Sequence, residues 1–516
     1  MRFSTLGAGS VLLSSLCATS HAYRLPQIPF SPSDDSLGTS PHPPPGDWNP
    51  LEHMSGIAPY HDAPGADITP PDGCEVTSVA FLVRHSCIYA NDDEWADFME
   101  PFVNRLEKYQ QEGGSFQGAG PLAFLENWES PINEGNLEAL TGPGADDAFA
   151  FGKRLRKLYP HLFPPKDLGK GSSKGKKGRT DKVKEPFRIW TANSNRDVGT
   201  AKAFIKGAFP KRHEGDDGEG DGKYLSLIKV NNKEASWSSS LTPHKVCPAF
   251  TKEPGKPDAQ EWLEHFGVAP LERLKKLMPN FEWALRDVIA LMMLCGYESV
   301  IKGVGKTEFC KQGLFTAEEY SDFGYWNDLI YHKMTGYAAP VAPYLGIPWV
   351  NTSLHNLLEA PEHRHHRDGR PHLGLLKEGD GLPDPDRPPN ATHSQSLFVF
   401  FTHREEPPVA LVALGIWNQT TVGPLPTDHR PDNRVWKTSH VLPFLGHVAI
   451  EKLTCGSHKH PKDYARILVN GAAQPLPRED LADGPGKSCR MERFTEYVRE
   501  RMEMFGDFEG ACKKAE

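Results

Sequence analysis

The sequence predicts an α/β protein, a mainly parallel sheet flanked by helices with an inserted all-α domain. Three observations carry this. Short apolar runs at 76–83, 187–190, 397–401, 447–453 and 465–469 read as strands, and stretches of helical spacing lie between them. A long region, 257–360, reads as helical. Three of the strands lead into cationic or imidazole-bearing residues, as expected where ligands meet the carboxyl ends of strands in an open sheet.

The elements follow in order. Residues 1–22 carry one early cation, a short apolar core and a Ser20-His21-Ala22 ending, the pattern of a secretory signal. Residues 23–73, rich in Pro, Ser and Asp, read as an extended leader or surface wrap. The first strand, 76–83, precedes a helix over 93–109. A second helix begins after 144–147, where an Asp can cap it, and carries Phe151, Leu155, Leu158 and Tyr159 at helical spacing. Residues 166–184 hold eight cations against two acids, and 213–222 hold five acids. These are solvated loop insertions in the plainer reading and an electrostatic collar in the sharper one. The strand at 187–190 lies between them and runs through TANSNR into a helix over 197–209. After the helical block comes a polar, Pro-rich loop, 361–392, and then the strands at 397–401, 447–453 and 465–469. The resulting partition is 1–22, 23–73, 74–210, 211–392 and 393–516, with the α/β core split around the helical insertion.

Composition narrows the partners. A net charge of −9 over 516 residues argues against general nucleic-acid binding. No run reaches the roughly 18 apolar residues of a membrane span, so a soluble, secreted chain is expected. Eight cysteines remain beyond Cys17, an even set that favours disulfides in an oxidising compartment, and no close CxxC pair suggests zinc. Sequons at Asn351, Asn390 and Asn418 are candidate glycan sites, with Asn351 the weakest because it precedes an apparent helix. The run Glu362-His363-Arg364-His365-His366 could chelate a metal, but its arginines and polar setting favour a solvated loop. No metal and no cofactor are expected.

The chemistry gathers at the strand ends. The first strand stops at Arg84-His85, the second leads to Arg196, and the third ends in His403-Arg404-Glu405. If these strands are neighbours, guanidinium forks, imidazoles and a carboxylate share one crevice. Guanidinium matches phosphate oxygens. A neutral imidazole between cations can attack phosphorus, because nearby positive charge disfavours imidazolium. A carboxyl group can then protonate the leaving oxygen. The sum is phosphoryl transfer through a phosphohistidine.

These segments resemble the clade-2 histidine phosphatases, the family of fungal phytases, acid phosphatases and multiple inositol polyphosphate phosphatases. The family's Arg-His-Gly-x-Arg-x-Pro is matched by Arg84-His85-Ser86-Cys87-Ile88-Tyr89-Ala90. Its later arginine turn is matched by TANSNRDVGTAKAFIKGAF, and its second histidine by Thr402-His403-Arg404-Glu405. The resemblance spans about 74–512. It implies that His85 is the phosphorylated nucleophile, that Arg84, Arg196 and His403 bind phosphate, and that Glu405 is the proton donor. It implies disulfides Cys74–Cys455, Cys247–Cys512 and Cys295–Cys310, leaving Cys87 and Cys489 over.

The match departs at Ser86, Ile88 and Ala90, and Ile88 stands where the family has a second arginine. Arg404 takes the place of one subgroup's Asp and is a replacement cation or a side chain turned away. Cys87 suggests a thiol phosphatase only if an Arg follows six residues on, and Asp93 stands there. The expectation is a secreted, monomeric, metal-independent acid phosphatase acting on phosphate monoesters, phytate among them. The alternative is a weak or inactive relative that binds a phosphate ester.

Overall fold

A computed structural model describes residues 48–164, 186–210, 225–233, 235–311, 313–360, 395–457 and 460–513. Both charged runs, the 361–392 loop with its histidines, Asn390 and the signal segment lie outside the described residues.

Eight strands form one sheet: β1 (Cys74–Arg84), β2 (Phe187–Ala192), β3 (Leu225–Val230), β4 (Leu397–Thr402), β5 (His447–Cys455), β6 (Lys462–Val469), β7 (Ala472–Gln474) and β8 (Cys489–Arg490). Their order is β3-β2-β4-β1-β5-β6-β7, with β8 on β6. The half from β3 to β1 is parallel. From β1 onward every pairing is antiparallel, so the sheet is mixed. The physical reason lies in the connections. Long helical crossovers feed the parallel strands, whereas β5, β6 and β7 follow one another through short loops and pair as a meander.

The sequence left out β3. It alternates buried and half-exposed positions as a sheet-edge strand does, beside a run of acids that masks its start. β4 is buried at all six positions, as the continuous apolar run LFVFFT requires of a central strand.

Helices cover the sheet. Gly142–Leu158 packs on Asn195–Ala208 so closely that a Cβ on Gly152 would meet the Phe204 carbonyl oxygen at 2.2 Å. The first of these helices is capped by Thr141, whose hydroxyl accepts from the Gly144 N–H, and not by an Asp as its sequence suggested. The helical block comprises Lys256–Phe266, Val268–Leu277, Asp287–Lys302, Ala317–Met334 and Ala342–Glu359. It belongs to the same compact unit as the sheet, Pro43–Glu516. In Asp287–Lys302 residues 287–300 are buried all round, so this helix is the centre of the block rather than a surface element.

Three disulfides join Cys74 to Cys455, Cys247 to Cys512 and Cys295 to Cys310. Cys87 and Cys489 are free and buried. No helix among the described residues is long and apolar enough to cross a membrane. Two further sequence expectations need correction. Asn351 lies inside the Ala342–Glu359 helix and is 6% exposed, which leaves no room for a glycan. Part of the N-terminal segment is not a surface wrap: residues 54–58 are buried and run beneath the end of β1.

Candidate active site

β1, β4 and β2 are neighbours, and their carboxyl ends lie level. Arg84 pairs with Thr402, and Thr191 pairs with Phe401. The His85 N–H donates to the Thr402 carbonyl at 2.8 Å, extending the ladder one residue past β1. His85 and His403 therefore leave the sheet side by side, with ring centroids 6.5 Å apart.

His85 is 1% exposed. Its Nδ1 lies 2.9 Å from the Ser86 carbonyl oxygen, which assigns the Nδ1 proton to that bond and leaves the Nε2 lone pair free. Burial, then the positive charges of Arg84 and Arg196, hold its pKa well below the usual 6.5. The ring thus stays neutral, and nucleophilic, in mild acid.

Arg84 is fully buried. Its Nη1 donates to the carbonyls of Gly56 and Leu442, and its guanidinium lies 4.2 Å from the centroid of the Phe444 ring. Burial lowers its pKa to about 10, so it remains a cation. Its Nε and Nη2 have no protein partner. Arg196, in the first turn of the Asn195–Ala208 helix, donates from Nη1 to Glu138 at 2.8 Å, and its Nη2 lies 3.5 Å from His403 Nδ1. Its Nε has no protein partner, and neither has the buried Nε2 of His403. Buried donors are normally paired. Four unpaired donor atoms from Arg84, Arg196 and His403, beside a neutral imidazole, form a seat for a tetrahedral anion.

The position of the family's second arginine is apolar. Ile88 is fully buried and forms a β-bridge with Leu140. Arg404 is 6% exposed, but its charge is engaged: Nη1 bonds Glu94, Nη2 lies 3.2 Å from Asp93, and Nε lies 3.6 Å from Glu405. Each part of that guanidinium faces a carboxylate. Arg404 is therefore tied to the helix start at Asp92–Glu94 and is less available to phosphate than Arg84 or Arg196. Cys87 gives no thiolate. Its Sγ lies 3.6 Å from Asp147, and burial raises both the thiol and that carboxyl group, the latter to about 6.

Glu405 and Glu406 sit at the amino end of the Glu406–Leu414 helix, where the dipole favours negative charge. Burial alone would raise the Glu405 pKa, but His244, Arg404 and Lys252 outweigh it and hold the carboxyl group well below its usual range. The residue expected as proton donor is thus held as a carboxylate. Lys252 Nζ lies 3.9 Å and His244 Nε2 4.0 Å from its oxygens, while His244 Nδ1 is ion-paired directly with Glu406. One ligand atom each from His244, Glu405 and Glu406 fall within 4.8 Å of one another. With Arg404 and Lys252 against the same carboxylate, this is built as an ion-pair network and not as a cation site.

Sequence reasoning missed four contributors. Asp197 is fully buried, and its Oδ2 lies 3.1 Å from His403 Nδ1; its position directly after Arg196 was the available signal. Glu138 holds Arg196 from a left-handed backbone position, φ 59°. Gly56 supplies a carbonyl to Arg84, and His244 faces His403 with ring centroids 5.6 Å apart. The last three come from chain remote from any motif and carry no local signal.

Comparison with known proteins identifies the family and the fold. The family model of the histidine phosphatase superfamily, branch 2, matches residues 75–470. Phytase PHO112 of Candida albicans is 26% identical over 466 residues, covering 88% of this chain and 85% of that protein. Acid phosphatase PHO1 of Komagataella pastoris is 24% identical over 473 residues, covering 90% and 86%. The crystal structure of the phytase from D. castellii superposes with a TM-score of 0.69 at 22% identity, covering 90% of this chain and 88% of that one. The chain belongs to the histidine phosphatase superfamily, branch 2.

Proposed function

We propose that the protein hydrolyses phosphate monoesters by transferring the phosphoryl group to His85 and then to water. The observation that carries this is the set of buried, unpaired donors on Arg84, Arg196 and His403 around a histidine kept neutral by its surroundings. Arg84 and Arg196 hold the phosphate oxygens, and the Nε2 face of His403 donates to the transferring group. Held there, the phosphorus meets the Nε2 lone pair of His85. The P–O bond to the alcohol breaks as the P–N bond forms, and an acid group beside His403 supplies the alcohol's proton. Water then attacks the phosphohistidine and releases inorganic phosphate and neutral His85. None of these steps draws on a metal.

Relatives carry the names phytase and acid phosphatase, so phytate and simple monoesters are both test substrates. The signal-like residues 1–22 and three disulfides support secretion into an oxidising compartment. Asn418, half-buried beside a short 3₁₀ turn, and Asn390 are the glycan sites we retain. Monomeric assembly is our reading of a chain with its own sheet, helices and core.

Ile88 favours one rival, a relative that binds a phosphate ester and turns it over weakly or not at all. Turnover decides between them. Purified protein assayed from pH 3 to 7 without metal should hydrolyse p-nitrophenyl phosphate, and His85→Ala should not. Well-folded wild type with no turnover on p-nitrophenyl phosphate or phytate would mean that Ile88 marks a lost catalyst or that the substrate is an unusual one, and retained phosphate-ester binding by that protein would select the binding reading. A rate unchanged by His85→Ala would remove His85 from the mechanism.

A further inference from the structure

We propose that the leaving alcohol takes its proton from His244, with Glu406 holding the imidazolium and Glu405 serving as a fixed carboxylate beside it. The inference rests on phosphoryl transfer at His85 as described above, and goes beyond it by naming a donor that neither motif contains.

The position after His403 that carries an Asp in one subgroup is Arg404, a group that cannot give up a proton in this range. The next residue, Glu405, is surrounded by cations on three sides: Arg404 Nε at 3.6 Å, Lys252 Nζ at 3.9 Å and His244 Nε2 at 4.0 Å. Such a carboxyl group does not hold a proton at mildly acidic pH. Asp197 lies on the Nδ1 side of His403, away from the unpaired Nε2 that faces the anion seat.

His244 has the opposite setting. Its side chain is 9% exposed, its Nδ1 is paired with Glu406, and its ring faces that of His403 at 5.6 Å. With Nδ1–H committed to Glu406, the second proton of the imidazolium sits on Nε2, 4.0 Å from Glu405, in a ring packed 5.6 Å from the imidazole whose unpaired Nε2 lines the seat. The groups facing the ring are Glu405, Glu406 and His403, with Lys245 the adjacent cation, while the Phe250 ring lies 5.3 Å away. Burial lowers the His244 pKa, but the two carboxylates outweigh it, and the net shift is upward. The ring is therefore charged where His85 is neutral: two histidines in one site are pushed apart, one toward nucleophile and one toward acid.

The protons balance. As His85 Nε2 bonds to phosphorus, the P–O electron pair passes to the leaving oxygen, which takes the Nε2 proton of His244. Neutral His244 then accepts a proton from the water that attacks the phosphohistidine. The P–N pair returns to His85, and His244 is again an imidazolium.

The experiment compares two leaving groups, because p-nitrophenolate departs without a proton and an alkoxide does not. kcat/KM is measured for p-nitrophenyl phosphate and glycerol 2-phosphate in wild type, His244→Gln and Glu405→Gln. General-acid loss costs on the order of 10²-fold or more. His244→Gln should lose about that much on glycerol 2-phosphate and less than about 5-fold on p-nitrophenyl phosphate. On the acidic plateau, where His244 is charged in either protein, Glu405→Gln should change both substrates alike, and only its alkaline limb for glycerol 2-phosphate should move to lower pH. A leaving-group-selective loss in Glu405→Gln on the acidic plateau, or equal effects of a folded His244→Gln on both substrates, overturns the proposal while leaving phosphoryl transfer at His85 intact. Wild type inactive on both substrates fails the underlying reading instead. If His244→Gln does not fold, Glu406→Gln decides. It keeps the imidazole, and the alkaline limb for glycerol 2-phosphate should move to lower pH; an unmoved limb overturns the proposal.

Discussion

Two buried arginines in one sheet show how the molecule separates structure from chemistry. Arg466, on β6 in the antiparallel half, is 2% exposed and fully occupied. Its Nε donates to Glu451 at 2.7 Å, and its Nη1 and Nη2 donate to the carbonyls of Thr69 and Ile68, each at 2.9 Å. Glu451 in turn accepts from Tyr159 at 2.7 Å. Arg84, at the end of β1 where the parallel half begins, is as deeply buried but keeps Nε and Nη2 without a protein partner. A cation whose donors are all consumed ties the chain together. One whose donors are left over waits for an anion. Burial alone would not have distinguished them; the accounting of their hydrogen bonds does.

The comparison can be broken in several places. His85→Ala should have the largest effect on turnover, a loss of about 10³-fold or more in kcat with a melting temperature close to wild type. Arg84→Met and Arg466→Met then split the two roles directly. Arg84→Met should lower kcat/KM by about 10²- to 10³-fold, the cost of one lost donor to the developing charge. Arg466→Met should leave kcat/KM per folded molecule unchanged but cost about 3–5 kcal/mol in denaturant unfolding, because Glu451 stays buried without its cation. If the Arg466 variant loses activity as the Arg84 variant does, the distinction fails.

Asp197→Asn should have a smaller effect, about tenfold in kcat/KM, because it replaces the carboxylate 3.1 Å from His403 Nδ1 that orients the ring without removing the histidine. A separate expectation concerns stability and pH rather than turnover. Burial lowers the His447 pKa to about 4, against 6.5 when unfolded. The folded state then refuses a proton that the unfolded state takes up. This contribution, about 3 kcal/mol, is present in full above pH 6.5 and is lost as pH falls toward 4. Urea unfolding of wild type and His447→Gln at pH 7 and pH 4 should show a shallower pH dependence in the variant. An equal dependence would place the titration elsewhere.

Much of this was legible in the sequence, for reasons visible in particular residues. β1 and β4 are continuous apolar runs that stop at a charge, and both central strands are found where the runs lie. Arg84, His85, Arg196 and His403 were readable because each sits at a strand end or just beyond a short turn, within a few residues of its strand. What was not legible came from distant chain. Nothing in PHKV, the turn that carries His244, signals that it closes on the start of the Glu406–Leu414 helix. Nothing in the Pro-rich N-terminal segment signals that Gly56 reaches Arg84. Glu405 lies beside His403 as its position in the sequence suggested, and its surroundings lower its pKa rather than raise it as the expected donor role requires. Its neighbour Arg404 was visible in sequence, but Lys252 and His244 reach it only through the fold.

The central claim is that His85 is the atom-bearing intermediary between ester and water. The most direct measurement is to mix the protein with p-nitrophenyl phosphate, quench within the first turnovers in alkali, where phosphohistidine survives, and map the phosphate by peptide mass spectrometry. The account predicts one phosphoryl group on the peptide containing His85 in wild type and none in His85→Ala. Turnover with no phosphopeptide at His85, or with the phosphate on another residue, would contradict it.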